Sequence, residues 1–485
     1  MIVAELLRRI GPDEVALTVA MLTGEPRQGK VGVGARTLWS MDIAASDEPS
    51  LTLRELDQTM EAIGSRLGPG SRRQRLELLA DVLGRATVAE QDFIRRLLVG
   101  ELRQGALEGI VVEAVGRAAG LPAKVVRRAL MFRADIGAVA EAALAGGRPA
   151  LEAIRLQVLH PIRPMLASSA ESVDLAMAKL GAASVEWKLD GIRVQVHRMD
   201  QEIRVYTRNL NDITGRVPDV VVAAQRLTAH HVVLDGEAIV LSASDRPKSF
   251  PETMAGLGAD RAGGDSFGDD RLMPFFFDVL HLDGEDLVDR PLAERLVALD
   301  RVVPADLRIT RVMAHDSQQA GGCMAEALQH GHEGVVVKGV AGLYDAGRRG
   351  SSWVKVKPAH TFDLVVLAVE WGHGRRRGRL SNLHLGARDG ETGELVMVGK
   401  TFKGMTDEML EWQTTRFTDL ALDGTDQHVV SVQPIQVVEI AIDGVQASTT
   451  YPGGLSLRFA RVKRYREDKG PSETDTLAAL RGLIS

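Results

Sequence analysis

Apolar residues recur at helical spacing along the first third of the chain. In SRRQRLELLADVLGRAT and EQDFIRRLLVGELRQG, leucine, isoleucine and valine lie three and four positions apart, which is the period of an amphipathic helix. Ser71 is suited to begin one helix, and Gly100 and Gly105 are suited to end others. Residues 1–157 are therefore predicted to form an all-α domain with short connections.

The pattern changes at HPIRPMLA, residues 160–167, where Pro161 and Pro164 interrupt the helical spacing. IRVQVHR and IRVYTRN then alternate on either side of MDQE, which predicts a β-hairpin. HVVLDGEAIVL, PFFFDVLHL, GVVVKG and WVKVK predict further strands, and DVVVAAQRLTA and SQQAGGCMAEALQHG predict helices among them. Residues 158–358 are therefore predicted to form an α+β domain.

A third pattern of short β runs follows Lys357. FDLVVLAVEW, LSNLHLGARD, ELVMVGKTF, VVEIAI and LRFARVKRY are separated by turns that contain glycine. About five short strands in roughly 100 residues predict a small β-barrel, such as an OB-fold. This predicted domain spans residues 359–485 and includes a C-terminal tail.

The composition excludes several classes of protein. A chain of 485 residues is too long for one ordinary core. No apolar run approaches the roughly 18 residues of a membrane helix, and the first residues lack the organisation of a signal peptide, so we expect a cytoplasmic protein with no membrane partner. The single cysteine, Cys323, excludes an intramolecular disulfide and a multi-cysteine zinc site.

The net charge of −6 leaves open whether nucleic acid is a partner. A net negative charge argues against one, but a binding surface needs only local positive potential. Arginine clusters occur at residues 72–75, 127–128, 375–377 and 458–469.

The segment EWKLDGIR, residues 186–193, contains the first candidate chemistry. The alternation places Lys188 and Asp190 on one face of a strand end, and Gly191 turns the chain. A lysine held in a β pocket beside carboxylates is a candidate covalent nucleophile. The same residues also fit a surface hairpin with a Lys–Asp pair, so this segment alone does not decide its function.

Five further segments follow, and each alone has an ordinary structural interpretation. LDGE (234–237) fits a strand and turn, and FFFD (275–278) fits a hydrophobic core. EGVVVK (333–338) fits a buried strand with charged ends, and WVKVK (353–357) fits an edge strand protected by lysines. RFARVKRYREDK (458–469) fits a solvated basic strand. Their joint occurrence in this order makes coincidence a poor explanation.

Together these segments resemble the motifs of the covalent nucleotidyltransferases, which include DNA ligases, RNA ligases and mRNA capping enzymes. HPIRPMLA resembles the entry to a ligase catalytic core, and GELRQGALEG resembles part of the helical DNA-binding domain of cellular ATP-dependent ligases. WGHGRRRGRLSNLHLGARD is similar to the start of the OB domain in the actinobacterial ligase B type. The resemblance covers essentially the whole chain. It implies an ATP-dependent DNA ligase with DNA-binding, nucleotidyltransferase (adenylation) and OB-fold domains.

The resemblance also implies a three-step sealing of nicks in duplex DNA, in repair, replication or recombination. Lys188 attacks the α-phosphate of ATP, AMP passes to the 5′-phosphate at the nick, and the 3′-hydroxyl displaces AMP. A lysine of ordinary pKa, about 10.4, needs nearby positive charge or desolvation to become a neutral amine. Lys355 and Lys357 are implied to supply that charge and to hold the α-phosphate. The implied partners are ATP and nicked DNA, and the chain is expected to be a monomer that associates with the nucleoid.

Further residues of the motifs are implied to hold the nucleotide and a metal ion. The implied roles are recognition of the adenine amine by Glu186, base stacking by Phe277, ribose contacts by Glu237 and Arg193, phosphate binding by Arg208, including the phosphate of the nick, and a further nucleotide contact by Arg349. Glu333 is implied to hold a divalent cation, most simply Mg²⁺. Asp190 and Asp235 are expected mainly to support the fold.

The last motif and one helical residue are implied to contact phosphates. In RFARVKRYREDK the basic residues Arg458, Arg461, Arg464, Arg466 and Lys469 are implied to meet the triphosphate and orient the leaving pyrophosphate. The motif differs from the usual family pattern at two positions, since Ala460 replaces a proline and Lys463 replaces an apolar residue. Which phosphate each basic residue contacts therefore stays open. Arg103, in GELRQG, is the predicted DNA contact, although a solvated helix arginine explains it equally well.

Three other interpretations are weighed against the DNA ligase. An RNA ligase or capping-type nucleotidyltransferase shares the early motifs. A capping enzyme would not need the long helical region, and an RNA ligase usually lacks an OB domain with the last motif. An NAD⁺-dependent bacterial ligase has a four-cysteine zinc site, which one cysteine excludes. A non-catalytic DNA-end-binding protein derived from a ligase would be expected to have lost Lys188, Glu333, Lys355 and Lys357.

Overall fold

The structure is a computed structural model that describes residues 2–29, 32–68, 70–102, 107–242, 247–248, 253, 270–345, 349–358 and 360–483, with only the backbone at 107 and 349–351. The chain divides into two compact units. The first comprises Met1–Ser169 and Ala176–Lys355, and the second comprises Ala170–Leu175 and Val356–Ser485. None of the helices in these described ranges is long and apolar enough to span a membrane.

The first part of the first unit is helical, as the sequence spacing predicts. The helices are α1 (Ile2–Arg9), α2 (Val15–Thr23), α3 (Ala35–Trp39), α4 (Leu53–Ser65), α5 (Ser71–Gly84), α6 (Val88–Val99), α7 (Leu107–Ala119), α8 (Ala123–Phe132) and α9 (Ile136–Glu152). Thr52 and Thr87 form capping boxes that satisfy backbone N–H groups at the starts of α4 and α6. Ser71 does begin a helix, and Gly100 ends α6 with a left-handed φ of 71°; Gly105 lies outside the described residues.

Two sheets of five strands form the rest of the first unit. Their strand orders are β1-β10-β9-β2-β8 and β4-β3-β5-β6-β7. The strands are β1 (Leu166–Ala170), β2 (Ala183–Trp187), β3 (Ile192–Met199), β4 (Glu202–Thr207), β5 (His231–Leu241), β6 (Arg271–Leu282), β7 (Glu285–Asp286), β8 (Arg311–Ala314), β9 (Val335–Gly339) and β10 (Arg349–Val356). The predicted hairpin is β3–β4, which turns at Asp200.

Four helices accompany these sheets: α10 (Val173–Leu180), α11 (Pro218–Gln225), α12 (Leu292–Val302) and α13 (Ser317–Gln329). Helices α11 and α12 cover the second sheet, and α13 packs on β2 and β8 of the first. A shared apolar cluster that includes Met131, Ile162, Met165 and Trp353 joins the helical region to the sheets.

The second unit is mainly antiparallel β-structure. One sheet has the order β13-β12-β11-β15-β18 with β14 also paired to β11, and β16 pairs with β17. The strands are β11 (His360–Trp371), β12 (Leu380–Arg388), β13 (Leu395–Thr401), β14 (Val429–Ser431), β15 (Val437–Ile442), β16 (Gly444–Ala447), β17 (Leu455–Arg458) and β18 (Arg461–Arg466). Helices α14 (Asp407–Asp419) and α15 (Leu477–Arg481) were not predicted. Helix α14 buries only Leu410, Gln413 and Phe417, so its apolar periodicity is weak.

Candidate active site

A cavity of about 640 Å³ in the first unit is lined by residues from both sheets. Its volume is in the range of sites that bind small molecules. Seven of the residues predicted to act on the nucleotide line it: Glu186, Lys188, Arg193, Arg208, Glu237, Phe277 and Lys355. These residues are spread over 170 positions of sequence, and the pairing of the strands brings them together.

Lys188 directly follows β2, and backbone hydrogen bonds fix its position. Its N–H donates to the carbonyl oxygen of Gly334 at 2.8 Å, and the N–H of Glu333 donates to the carbonyl oxygen of Lys188 at 3.0 Å. The Lys188 ammonium and the Glu333 carboxylate form an ion pair, with side chains 21% and 18% exposed. The candidate nucleophile and the candidate metal ligand are therefore in direct contact where solvent reaches them.

A second lysine–glutamate pair lies deeper in the same cavity. Lys338 Nζ is 2.6 Å from Glu186 Oε2, and both side chains are only 2% exposed. The Ser184 hydroxyl donates to Glu186 Oε1 at 3.0 Å. Burial raises the pKa of Glu186 and lowers the pKa of Lys338, because each loses hydration of its charged form.

Two aromatic rings form one wall beside this buried pair. Lys338 Nζ lies 4.1 Å from the ring centroids of both Phe277 and Trp353. The two rings meet edge to face, with centroids 5.9 Å apart. Such a wall offers a flat apolar surface and a cation, which suits a purine base.

Sequence reasoning gave Lys338 and Trp353 no role in the site. The available signal for Lys338 was a lysine that directly follows three valines inside a predicted strand. A charge in such a position needs a buried partner, but the sequence does not show which carboxylate supplies it.

Arg193 is held in place by protein groups. Its Nε and Nη2 donate to the two Asp235 carboxylate oxygens at 2.9 and 2.5 Å, and its Nη1 donates to the Met165 carbonyl oxygen at 2.7 Å. The Tyr344 hydroxyl donates to Asp235 Oδ2 at 2.7 Å and accepts the Met165 N–H at 3.0 Å. Asp235 is fully buried, so this carboxylate holds Arg193 rather than facing the cavity.

Glu237 and Arg208 complete the wall on the side of the second sheet. Glu237 is directly opposite Arg193 across the β3–β5 pair. Burial raises the pKa of Glu237 to about 7, against the opposing effects of Arg193 and Lys188. Arg208 follows β4 with an exposed side chain, which leaves it accessible to a phosphate.

Lys357 and the basic residues of the last motif belong to the second unit. There, several of them form ion pairs: Arg461 with Asp443 at 2.8 Å, Arg464 with Glu439 at 2.8 Å, and Arg466 and Lys469 with Asp363 at 3.0 and 2.6 Å. Arg458 ends β17. Ala460 is buried.

Two predicted contacts fall outside what the structure describes. Arg103 lies outside the described residues. Arg349 begins β10, but its side chain is also outside the described part of the chain.

The residues around Lys188 fit a magnesium ion bound together with a nucleotide. Within the described ranges, no cluster of three or more histidine, cysteine or carboxylate side chains is placed to hold a metal. Mg²⁺ commonly takes only one or two protein carboxylates and completes its shell with phosphate and water. The partly exposed Glu333 carboxylate provides one such ligand.

Comparison with known proteins matches three segments of the chain to family models. They are the DNA ligase N terminus at residues 27–116, the ATP dependent DNA ligase domain at residues 164–357, and the ATP dependent DNA ligase C terminal region at residues 376–469. A probable DNA ligase of Saccharopolyspora erythraea is 53% identical over 99% of this chain and 92% of its own length. The DNA ligase B of Mycobacterium tuberculosis is 51% identical over 99% of this chain and 95% of its own.

The chain belongs to the ATP-dependent DNA ligase family. The ligase also shares its fold with the solved structure of Pmar-Lig_Pre, with a TM-score of 0.61 and 20% identity over 96% of this chain and 95% of that chain. The predicted ATP-dependent DNA ligase and its resemblance to the ligase B type are thereby confirmed. The predicted multidomain ligase architecture is confirmed at the level of its N-terminal, central and C-terminal regions.

Proposed function

We propose that the ligase seals nicks in duplex DNA through AMP held covalently on Lys188 and then on the 5′-phosphate. The observation that carries this proposal is the position of Lys188 in the cavity. Its ammonium group faces one partly exposed carboxylate, Glu333, and its cavity also contains Glu186, Phe277 and Lys355. A lysine nucleophile, a flat wall for a base and a cation for phosphate are the parts that adenylylation needs.

In the first step the Lys188 Nζ lone pair attacks the α-phosphorus of ATP. A P–N bond forms, the P–O bond to the β-phosphate breaks, pyrophosphate leaves with its negative charge, and the attacking nitrogen releases its proton to water. The Glu333 carboxylate holds the Lys188 side chain in an ion pair, so this carboxylate must engage another cation before the lysine can approach the phosphate. Mg²⁺ on Glu333 and the phosphates would neutralise negative charge there. Lys355, and Lys357 from the second unit, would hold the α-phosphate oxygens.

Recognition of ATP is assigned to the buried part of the cavity. Glu186 accepts a hydrogen bond from the adenine amine, and Phe277 stacks on the base. Lys338 lies 2.6 Å from the Glu186 carboxylate and favours its ionised form, which opposes the effect of burial on the pKa of Glu186. Glu237 and Arg193 contact the ribose, and Arg349 makes a further nucleotide contact.

In the second step a 5′-phosphate oxygen at the nick attacks the phosphorus of the lysyl adenylate, and the P–N bond breaks. In the third step the 3′-hydroxyl attacks the 5′-phosphate, loses its proton, and expels AMP. Arg208 has an exposed side chain at the cavity and is assigned to the phosphate of the nick. Arg458, Arg461, Arg464 and Lys469 are assigned to the leaving pyrophosphate, and Arg103 to the DNA backbone.

The regions of the chain receive corresponding roles. We assign residues 1–157 to an all-α DNA-binding domain, 158–358 to the α+β adenylation domain, and 359–485 to an OB-fold domain with the last motif. The helices, the two sheets and the antiparallel sheet described above support these assignments. A monomer in the bacterial cytoplasm, associated with the nucleoid when on DNA, suits an enzyme that closes its own domains around a duplex.

The test is transfer of label from α-labelled ATP to the protein with Mg²⁺. Wild type and Lys179→Arg, which changes an exposed lysine of α10, should become labelled, and Lys188→Arg should not. Equal labelling of Lys188→Arg would overturn the proposal. Labelling by GTP in place of ATP, or sealing of nicked RNA but not nicked DNA, would instead indicate a capping-type enzyme or an RNA ligase.

A further inference from the structure

A second cavity of about 640 Å³ lies in the first unit, where the helical region meets the sheets. It shares no lining residue with the nucleotide cavity. Apolar side chains that line it include Met131, Leu151, Ile154 and Leu343, together with the ring of Tyr344. Its volume and apolar lining are those of a site for a small molecule.

The charges around this cavity are unevenly compensated. Its basic lining residues are Lys124, Arg127, Arg128 and Arg155. Three acids also line it: Asp289, which pairs with Arg128 at 2.5 Å, Glu152, which pairs with Arg148 at 3.3 Å, and Asp345. Arg127 pairs with Glu113. Lys124 and Arg155 are exposed, and neither has an ion-pair partner among the residues that the structure describes. Two exposed cations, unpaired within the described ranges, therefore lie beside the apolar part of the lining.

We propose that this cavity is a second ligand site, for a small organic anion with an apolar body. The body would leave water for the surface formed by Met131, Ile154 and Leu343, which is favourable in proportion to the apolar area removed from water. The anionic group would pair with Lys124 and Arg155, for which the described part of the chain provides no ion-pair partner. A bare phosphate would pair with the two cations but has no apolar body. The site therefore favours a ligand that has both an anionic group and an apolar body.

The position of the cavity links it to the nucleotide site. The Tyr344 ring lines the second cavity, and its hydroxyl donates to Asp235, which holds Arg193 of the nucleotide cavity. A ligand beside Tyr344 is thus connected to the wall of the nucleotide site through the hydrogen bonds from Tyr344 to Asp235 and from Arg193 to Asp235. The proposed binding itself does not depend on the ligase reaction.

The experiment uses 1-anilinonaphthalene-8-sulfonate, an aromatic sulfonate whose fluorescence rises in apolar sites, titrated into the full chain. We expect a saturable site whose affinity falls at least tenfold in Lys124→Glu/Arg155→Glu. The control Arg36→Glu/Arg72→Glu makes the same change of charge at exposed helical residues outside the cavity and should stay within twofold of wild type. Leu343→Trp, which adds bulk at a half-exposed lining residue, should also weaken binding.

Three results would overturn the proposal. One is equal affinity of wild type and the Lys124→Glu/Arg155→Glu variant. Another is loss of the dye site on full adenylylation, both in wild type and with undiminished affinity beforehand in Lys124→Glu/Arg155→Glu, which would place the dye in the nucleotide cavity. The third is displacement of the dye by inorganic phosphate or by nicked duplex at constant ionic strength, which would indicate a surface for bare phosphates or for DNA. Failure of the chain to adenylylate would count against Lys188 but not against this site.

Discussion

Two lysine–glutamate pairs lie in or beside the paired strands β2 and β9 but differ in their environment. Lys188 pairs with Glu333, and Lys338 pairs with Glu186, so the segments EWK and EGVVVK exchange partners across the β2–β9 pair. The first pair is 21% and 18% exposed, whereas both members of the second are 2% exposed.

This difference in burial suits the two pairs to different roles. A partly hydrated pair is weakly held, because water competes for both charges, so its lysine can leave its partner. A fully buried pair is held because separating the charges would leave one uncompensated in a medium of low dielectric. The outer pair is therefore suited to chemistry, and the inner pair to fixing the carboxylate that reads the base.

The largest effect is expected from Lys188→Arg, which keeps the charge and removes the nucleophilic amine. Adenylylation should fall by a factor on the order of 10⁴ or more, because a guanidinium stays protonated and does not attack phosphorus. The rate of label transfer from ATP measures this. The free energy of unfolding should change by no more than about 1 kcal/mol, and a large loss of stability would mean that the outer pair is structural.

Lys338→Met should give the largest loss of stability. It leaves Glu186 buried without its cation, which typically costs about 3–5 kcal/mol. Urea unfolding monitored by circular dichroism provides the measurement. The double variant Lys338→Met/Glu186→Gln is the matched control and should recover most of the loss, since no buried charge remains. If Lys338→Met alone were as stable as wild type, the buried pair would not differ from the partly exposed pair in its effect on stability.

Glu237→Gln should change how stability depends on pH. The pKa of Glu237 is about 7 in the folded protein against an ordinary 4.5, so between these values the folded state binds more protons than the unfolded state. The stability contributed by this carboxyl is present at low pH and is lost as pH rises toward 7. The unfolding free energy of the variant minus that of wild type should therefore increase with pH. We expect an increase of about 1–3 kcal/mol from about pH 5 to about pH 8. A difference that stays constant with pH would contradict the burial of this carboxyl.

The smallest change in stability is expected from Glu333→Gln. Removing the partner of the partly exposed Lys188 should alter the unfolding free energy by less than about 1 kcal/mol, because water solvates the remaining ammonium. The Mg²⁺ concentration needed for half-maximal adenylylation should nevertheless rise. A stability loss equal to that of Lys338→Met would show that exposure does not separate the two pairs.

Much of the candidate site could be predicted from the sequence because its residues lie in short motifs with recognisable order. The segments that became β5, β9 and the β3–β4 hairpin have alternating or continuous apolar residues, and these patterns follow directly from strand geometry. Helix α14 was missed because it buries few side chains. The role of Lys338 was missed because a buried charge is explained only by its partner, which lies 152 positions away in sequence.

The sequence by itself determined the family, the candidate nucleophile and the kinds of elements that hold it, because local periodicity and motif order are properties of neighbouring residues. Only the tertiary structure decided which carboxylate each lysine meets and how deeply each pair is buried. Those properties depend on the pairing of β2 with β9 and on the distance from solvent. Neither can be read from a single segment of the sequence. The same physical reason applies to the second cavity, since the helical region and the sheets each contribute only part of its wall.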